Sequence, residues 1–305
     1  MKSSFAERRE EVSNHSRVVK FAMMLFVVSL MTLNTGCTQE KTENAPGFPR
    51  IEGPVLGQKP PGSIPEIFSP RIVSIAQRET GFTPDLEEIY FRRYDEGLEN
   101  DALVAIQFKD NLWTETFVVP RGEISPDGMI LYIGNEYREQ TSSGWSEAKS
   151  LGAPFDSIPI MRLTASSQDT FYFDDVSSFE DKPPVVDIRY SRLINGTYEK
   201  PITLDFETGT TLKFHPFIAP DESYLIFDSK LENGNADIYI SFRQKDGSWG
   251  AAIKLGNKIN TALSDVYGSV TSDGKYFFFR RTLSNGTKNT MWVDTGFIEE
   301  LRPRQ

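Results

Sequence analysis

One short pattern recurs five times along the chain, and it limits the possible folds more than any other feature of the sequence. Each copy is a turn that starts with Pro or Ser, usually followed by Asp, and it leads into a run of aromatic and β-branched residues. Pro fixes φ and Asp closes a turn through its side chain, whereas the residues that follow favour strands. A repeat of this length predicts a ring or an array of equivalent units. The turn positions are Pro84, Pro126, Ser166, Pro220 and Ser272, which lie 42, 40, 54 and 52 residues apart.

Each repeat also contains signals for further strands. A second run of strand-forming residues follows the first, as at 187–190 and 237–240. The dipeptides Asn195-Gly196 and Asp246-Gly247 then predict tight hairpins. Each unit therefore supplies about four short antiparallel strands, which is one blade of a β-propeller. The predicted fold class is all-β, a single propeller of five four-stranded blades over residues 65–303, with six blades as the alternative.

The ends of the repeat region predict how the ring closes. The last unit ends after Trp292 without an outer strand of its own, and strand-forming residues at 66–75 precede the first turn. An open ring would leave an edge strand unpaired. We therefore expect residues 66–75 to complete the final blade.

The N-terminus has the properties of an export signal. Residues 1–20 hold five basic side chains, and the apolar run 21–33 follows them. Thirteen helical residues span roughly 20 Å, too short for a bilayer but suitable for a signal peptide. The run ends at the sequence LNTGC, which resembles the lipobox of bacterial lipoproteins, although Leu33 lies four residues before Cys37 where that motif has three. In such lipoproteins Thr38, in place of Asp, implies delivery to the outer membrane.

This interpretation divides the N-terminal region into two parts. Residues 1–36 are predicted to be a signal peptide, and residues 37–64 a lipidated N-terminus with a Pro/Gly-rich tether. The chain is then exported and lipid-anchored in the cell envelope, facing the periplasm or the cell surface. The alternatives are an ordinary cleaved signal or an uncleaved anchor, in which Cys37 has no role.

Composition excludes several classes of function. Residues 37–305 hold 28 basic and 40 acidic side chains, a net charge of −12, and such a body repels a phosphate backbone. Nucleic acid is therefore excluded as a partner. One cysteine and two histidines are too few for a disulfide or for a zinc site built on several histidines. We expect no cofactor and no metal, and we interpret the acidic residues Asp174, Asp175 and Asp181 as a solvated loop in preference to a calcium site.

Two stretches carry a family resemblance. Residues 215–227 (HPFIAPDESYLIF) and 237–243 (DIYISFR) resemble the WD40-like repeats, called PD40, of TolB-like exported propellers. The resemblance covers roughly residues 55–303. It implies the propeller architecture, and it implies little about activity because proteins with such repeats differ in function.

A candidate site follows from the alignment of the repeats. The first strand of each blade lines the central channel, and ligands bind at a mouth of that channel. Counting five residues back from each turn position gives equivalent places around the ring, which predicts a polar channel mouth for an anionic or polyhydroxy ligand. The alternative is that these are ordinary strand-start residues in contact with trapped water. The places are Glu79, Arg121, Met161, His215 and Tyr267, with Arg162 and Asp265 close by, and the candidate ligand-binding residues among them are Glu79, Arg121, Arg162, His215 and Tyr267.

Two functions from different classes fit these features. The first is a non-catalytic binding or scaffold propeller, a monomer that is tethered to the envelope by its lipid and engages an envelope protein or a glycan. The second is a carbohydrate-active enzyme, a glycoside hydrolase or lyase, in which Glu79 and Asp265 act as acid and base and Arg121 binds substrate. Channel carboxylates about 5–9 Å apart would favour the enzyme.

Overall fold

The structure, a computed structural model, describes residues 50–68, 76–83, 86–93, 103–119, 122–142 and 144–304. The signal peptide and Cys37 predicted from the sequence lie outside these ranges. Within them the chain is almost entirely β, with one short helix, α1 (Gly296–Leu301), after the last strand. No helix in these ranges has the length and apolar character needed to cross a bilayer. In chain order the strands are β1 (Ile51–Glu52), β2 (Glu66–Ile67), β3 (Ala76–Phe82), β4 (Glu88–Arg93), β5 (Leu103–Lys109), β6 (Leu112–Val119), β7 (Glu123–Ile124), β8 (Ile130–Ile133), β9 (Glu136–Thr141), β10 (Gly144–Trp145), β11 (Lys149–Ser150), β12 (Ile160–Ala165), β13 (Phe171–Asp175), β14 (Asp187–Ser191), β15 (Leu193–Ile194), β16 (Thr197–Tyr198), β17 (Ile202–Thr203), β18 (Lys213–Ile218), β19 (Tyr224–Lys230), β20 (Ala236–Phe242), β21 (Ile253–Lys254), β22 (Asp265–Val270), β23 (Tyr276–Thr282) and β24 (Lys288–Asp294).

Among the described residues the strands form five larger antiparallel sheets, which are the five blades of a propeller, and one two-stranded hairpin, β15-β16, which lies in the chain between β14 and β17. Blade 1 has the order β1-β6-β5-β4-β3, blade 2 has β10-β9-β8-β7 with β11 also paired to β9, and blade 3 has β12-β13-β14-β17. Blade 4 has the order β18-β19-β20-β21, and blade 5 has β22-β23-β24-β2. The first strands of successive blades contact one another, since β7 contacts β3 and β12, and β18 contacts β12 and β22. The prediction of an all-β propeller is confirmed, with five blades.

The repeated turns are held as their residue types suggest. At the turn into β8, Asp127 Oδ1 accepts a hydrogen bond from the backbone N–H of Met129, and Gly128 has a φ of 76°. At the turn into β23, Asp273 Oδ1 accepts from the N–H of Lys275, and Gly274 has a φ of 74°. Positive φ costs glycine little, which explains its use at these positions.

The aromatic runs after the turns form the core between blades. In β13, Phe171, Tyr172 and Phe173 are all fully buried. Neighbouring residues point to opposite faces of a strand, so one blade supplies aromatic side chains to the contacts on both of its sides. Phe171 stacks on Tyr198 with ring centroids 4.4 Å apart, whereas Tyr172 lies in the apolar cluster that also contains Phe227 of blade 4.

The ring closes as the sequence predicts. Strand β2 pairs antiparallel with β24, with Glu66 opposite Trp292 and Ile67 opposite Met291. Directly after β2, the N–H of Phe68 donates to the carbonyl of Thr290 at 2.9 Å, and its ring is fully buried. An N-terminal strand therefore completes the final blade. The remaining part of the predicted closing segment, residues 69–75, lies outside the described ranges.

Part of the segment expected as a tether packs against blade 1. Strand β1 pairs with β6, where Ile51 lies opposite Trp113. The indole Nε1–H of Trp113 donates to the carbonyl of Gly53 at 2.8 Å, and Leu56 is buried in the same cluster. Residues 51–56 of the expected tether are therefore packed against blade 1. A two-residue strand carries no periodicity, so the prolines around it dominate the local sequence pattern.

Candidate functional site

The sequence-predicted mouth residues lie where the innermost strands lose their register. A register shift falls between Ala76 and Thr80 in β3, between Ile160 and Leu163 in β12, between Phe214 and Phe217 in β18, and between Val266 and Ser269 in β22. Such shifts are β-bulges, which redirect side chains and recur at functional sites. The shifts enclose Glu79, Met161, Arg162, His215 and Tyr267. Arg121 and the side chain of Glu79 lie outside the described part of the chain.

Two of these residues adopt a backbone conformation that is costly for their side chains. His215 has a φ of 52° and Tyr267 a φ of 61°. Residues with a Cβ atom seldom occupy this left-handed region, and they persist there only when the surroundings hold them. The surroundings in question are two buried carboxylates.

The first of these carboxylates, Asp174 at the end of β13, binds the backbone of two blades. Its Oδ1 accepts from the N–H groups of Met161 at 3.0 Å and Arg162 at 2.7 Å. Its Oδ2 accepts from the N–H of His215 in blade 4 at 2.9 Å. Burial raises the pKa of Asp174, and the neighbouring His215 and these backbone donors oppose that rise. Asp174 therefore links blade 3 to blade 4 at their register shifts.

The second carboxylate, Asp228 of β19, repeats this arrangement between blades 4 and 5. Its Oδ1 accepts from the N–H of Tyr267 at 3.0 Å. Its Oδ2 lies 2.6 Å from Nδ1 of His215. A carboxylate oxygen at this distance places a proton on Nδ1, so that Nε2 is the ring nitrogen left to form a further hydrogen bond. Nε2 is buried and has no hydrogen-bond partner within the described ranges.

The structure corrects the sequence-based interpretation of Asp174 and Asp175. The expectation of a solvated acidic loop at Asp174 and Asp175 is wrong, because Asp174 is fully buried and Asp175 is nearly so, with Arg189 3.1 Å away. No group of three or more metal-binding side chains is present among the described residues. The repeat spacing contains the missed signal, since Asp174 and Asp228 both lie eight residues after the aligned turn position.

Arg162 joins three blades from a buried position. Its Nε lies 3.0 Å from Oε1 of Glu123, and its Nη2 donates to Oε2 of the same carboxylate at 3.2 Å. Its Nη1 donates to the carbonyl of His215 at 3.3 Å. Only 4% of Arg162 is exposed. Glu123, which the sequence analysis missed, thus lies in blade 2 opposite a predicted site residue in blade 3.

A cavity of about 260 Å³ lies between blades 2 and 3 next to this ion pair. Gly134 borders it at the sequence position where blades 3 and 4 carry Asp174 and Asp228. A smaller cavity of about 70 Å³ lies at the opposite end of the innermost strands. The larger cavity is lined by Gly122, Glu123, Tyr132, Ile133, Gly134, Ile160, Met161, Arg162 and Leu163.

Asp265, the acid or base of the enzyme hypothesis, is committed to structural contacts. Its Oδ1 accepts from Nε of Arg281 at 2.7 Å. Its Oδ2 accepts from the N–H of Thr261 at 2.7 Å and from the hydroxyl of the same residue at 2.8 Å. Asp265 is completely buried. These contacts stabilise the start of β22, and they satisfy both oxygens.

A row of rings runs from the rim of blade 3 to the register shift of blade 5. Phe179, in the loop between β13 and β14, lies edge-on to Phe214 with centroids 6.2 Å apart. Phe214 lies 5.6 Å from the ring of His215, which lies 3.9 Å from the ring of Tyr267. The guanidinium of Arg280 lies 4.5 Å from the Tyr267 ring centroid. Phe179 is 41% exposed, so the row begins at the surface and ends at a half-buried cation.

The chain is similar to several solved structures. The chain is similar to a putative TolB from Agrobacterium tumefaciens, at 17% identity and a TM-score of 0.44 over 70% of this chain and 76% of that one. It is similar to TolB from Acinetobacter baumannii, at 14% identity and a TM-score of 0.44 over 70% of this chain and 53% of that one. The chain thus spans about half of the length of the Acinetobacter protein.

A third similar structure is an enzyme. It is the catalytic domain of a GH62 α-L-arabinofuranosidase from Coprinopsis cinerea, at 10% identity and a TM-score of 0.46 over 76% of this chain and 94% of that one. No protein-family model matches the chain. No curated protein matches it either.

Proposed function

We propose that the chain is an envelope-anchored, non-catalytic binding propeller that holds a protein or cell-wall component at the channel mouth formed by its register shifts. The proposal rests on the observation that the channel carboxylates accept hydrogen bonds from the protein itself. Asp174 and Asp228 accept hydrogen bonds from the backbone of the innermost strands, and Asp265 accepts from Thr261 and Arg281. Carboxylates used in this way hold a mouth in one shape.

A mouth held in one shape suits binding. A binding surface that is already ordered loses little conformational entropy when its ligand arrives. Among the side chains held in this way, His215 provides a ring nitrogen for a hydrogen bond, Tyr267 an aromatic face and Arg162 a buried cation. Glycoside hydrolysis needs instead a carboxyl group that protonates the leaving oxygen and a second that attacks or activates water. Asp174, Asp228 and Asp265 have their oxygens engaged by the protein itself.

The envelope location rests on the N-terminal sequence. The basic segment, the short apolar run and the single cysteine at position 37 support export and lipid anchoring. The anchor places the propeller at a membrane surface, where envelope proteins and cell-wall glycans are the accessible partners. The net charge of −12 for residues 37–305 argues against strongly acidic partners.

One observation favours a carbohydrate-active enzyme as the second candidate. Glu123 borders the cavity of about 260 Å³, and 18% of its side chain is exposed. The paired Arg162 holds the Glu123 carboxylate at the edge of this cavity. In this hypothesis the second carboxyl group is Glu79 of the neighbouring blade.

The test compares binding partners of the wild type and of a mouth variant. The full chain is expressed in its membrane, cross-linked, solubilised in detergent and recovered with its partners. The mouth variant carries His215→Asn and Tyr267→Asn, because Asn tolerates positive φ better than other polar residues. A control variant, Ile194→Ser, changes an exposed apolar side chain on the hairpin of blade 3.

The proposal predicts a partner that is lost in the mouth variant and kept in the control. An identical set of partners in all three proteins would overturn it. Glycan-cleaving activity of the solubilised protein that Glu123→Gln abolishes would replace it with the enzyme.

A further inference from the structure

We infer that the ligand of the channel mouth is a neutral glycan, and that Phe179 and Phe214 form the surface on which its first sugar ring stacks. This inference rests on the proposed binding function and names the class of ligand. It starts from Phe179, a large apolar side chain that is 41% exposed and has polar residues on both sides in the sequence.

The loop that carries Phe179 is ordered against the blades. The N–H of Phe179 donates to the carbonyl of Val176 at 3.1 Å, and the N–H of Val185 donates to the carbonyl of Ser178 at 2.9 Å. Val186, at the end of the loop, bridges to Leu212 just before β18. The exposed ring is therefore held at the rim, beside the strand that carries Phe214 and His215. The exposed part of the ring therefore has a fixed position, in which a ligand can stack on it.

The row leads from an apolar surface to a ring nitrogen that can form a hydrogen bond. Beyond Phe214 lies His215, whose Nδ1 is fixed by Asp228 and whose Nε2 is buried without a partner among the described residues. Buried polar atoms in native proteins almost always have a partner, so an exception requires an explanation. A ligand hydroxyl that forms a hydrogen bond with Nε2 provides one. Sugars combine the two properties that this row requires, because their C–H faces stack on rings and their hydroxyls form hydrogen bonds.

The charged side chains at both ends of the row favour a neutral ligand. Glu180 and Asp181 directly follow Phe179 and repel an anionic ligand at the rim. Arg162 and Arg280 lie at the inner end, where they contact the carbonyl of His215 and the ring of Tyr267. The charge of Arg162 is compensated by Glu123, and Arg280 is the cation at this end that opposes a positively charged ligand. A neutral polyhydroxy chain satisfies both conditions.

The experiment measures binding of neutral hexasaccharides by the detergent-solubilised full chain with isothermal titration calorimetry. The probes are cellohexaose, xylohexaose, mannohexaose and laminarihexaose, with hexagalacturonate as the anionic probe. We expect at least one neutral probe to bind, and Phe179→Ala to weaken it about tenfold, as the loss of one aromatic contact predicts. Phe179→Tyr keeps the ring and should restore binding. Ile202→Ala removes an exposed side chain at the outer edge of blade 3 and should change nothing.

A second variant tests the ring nitrogen of His215. His215→Asn removes Nε2 and introduces a residue that tolerates positive φ, so it should weaken binding of the same probe. For Phe179→Ala, an unchanged thermal midpoint shows that the fold is intact. Binding of neutral probes that is equal in Phe179→Ala and wild type would overturn the inference. Tighter binding of hexagalacturonate than of any neutral probe would also overturn it.

The outcome also separates this inference from the proposed function. If no neutral hexasaccharide binds and the cross-linked partner still depends on His215 and Tyr267, the ligand is not a neutral glycan and the binding propeller stands. If no hexasaccharide binds and the cross-linked partners are independent of the mouth, both proposals fail.

Discussion

Truncation of Phe68 tests whether the ring is held shut by the segment that precedes the first blade. The Phe68 ring is fully buried and lies edge-on to Phe278 and Trp292, with centroid distances of 4.9 and 5.1 Å. Replacing a fully buried Phe with Ala costs about 3–5 kcal/mol of unfolding free energy through lost burial and the cavity left behind. For a domain of this size, each kcal/mol lowers the thermal midpoint by about 2–4 °C. Phe68→Ala should therefore lower the midpoint by about 6–20 °C.

The matched control lies one residue earlier. Ile67 belongs to the same closing strand and pairs with Met291, but 37% of it is exposed. Ile67→Ala should cost less than about 1 kcal/mol, since exposed surface positions contribute little. Both variants are compared by urea denaturation, in which the midpoint reports stability and the slope reports the surface exposed on unfolding. Equal losses in the two variants, or a loss below about 1 kcal/mol for Phe68→Ala, would refute closure by burial of Phe68.

Three further predictions follow from separate features. Cys37→Ser should release the protein from the membrane fraction and change its mobility on a gel, and unchanged fractionation would contradict lipid anchoring. Trp113→Phe removes the hydrogen bond to the Gly53 carbonyl but keeps most of the buried ring, so it should cost about 1 kcal/mol in urea denaturation; no loss would show that β1 packs without it. Burial raises the pKa of Asp174 from 3.8, so its contribution to stability is complete below that pH and declines as the pH rises through the raised value. The difference in unfolding free energy between wild type and Asp174→Asn should therefore shrink from weakly acidic to neutral pH, and a difference that grows would contradict the direction of this shift.

The repeats allowed most of the fold to be predicted, because turn residues and aromatic strands recur at nearly constant spacing. The closing strand was also predictable, since the last repeat ends without an outer strand and a ring has no other way to pair its edge. The packing of Ile51 and Leu56 on blade 1 was not predictable. Two short apolar contacts among prolines produce no periodic signal, and only the position of Trp113 in space makes them part of the core.

The candidate site could be located but not described from the sequence. Aligning the turns identified His215 and Tyr267 as equivalent positions, because both lie the same number of residues before the turn of their repeat. Their positive φ values and the carboxylates that hold them depend on contacts between blades, which one repeat does not encode. An Asp after an aromatic strand resembles a loop residue, so the structural role of Asp174 and Asp228 could not be inferred from residue type alone. The exposed Phe179 gave no signal, since its loop is polar on both sides.

The two carboxylate links are confined to one side of the ring, and this asymmetry affects how the propeller opens. Asp174 ties blade 3 to blade 4 and Asp228 ties blade 4 to blade 5, whereas the equivalent positions of blades 1, 2 and 5 hold Arg92, Gly134 and Arg280. Separating a linked pair leaves a buried carboxylate without donors, which is costly. The buried Arg162–Glu123 ion pair also joins blade 2 to blade 3. Native-state hydrogen exchange should therefore show blades 3 to 5 exchanging as one slow unit, blade 2 joined to them by one ion pair, and blade 1 opening at lower free energy. A ligand too wide for the channel would then enter by displacing blade 1.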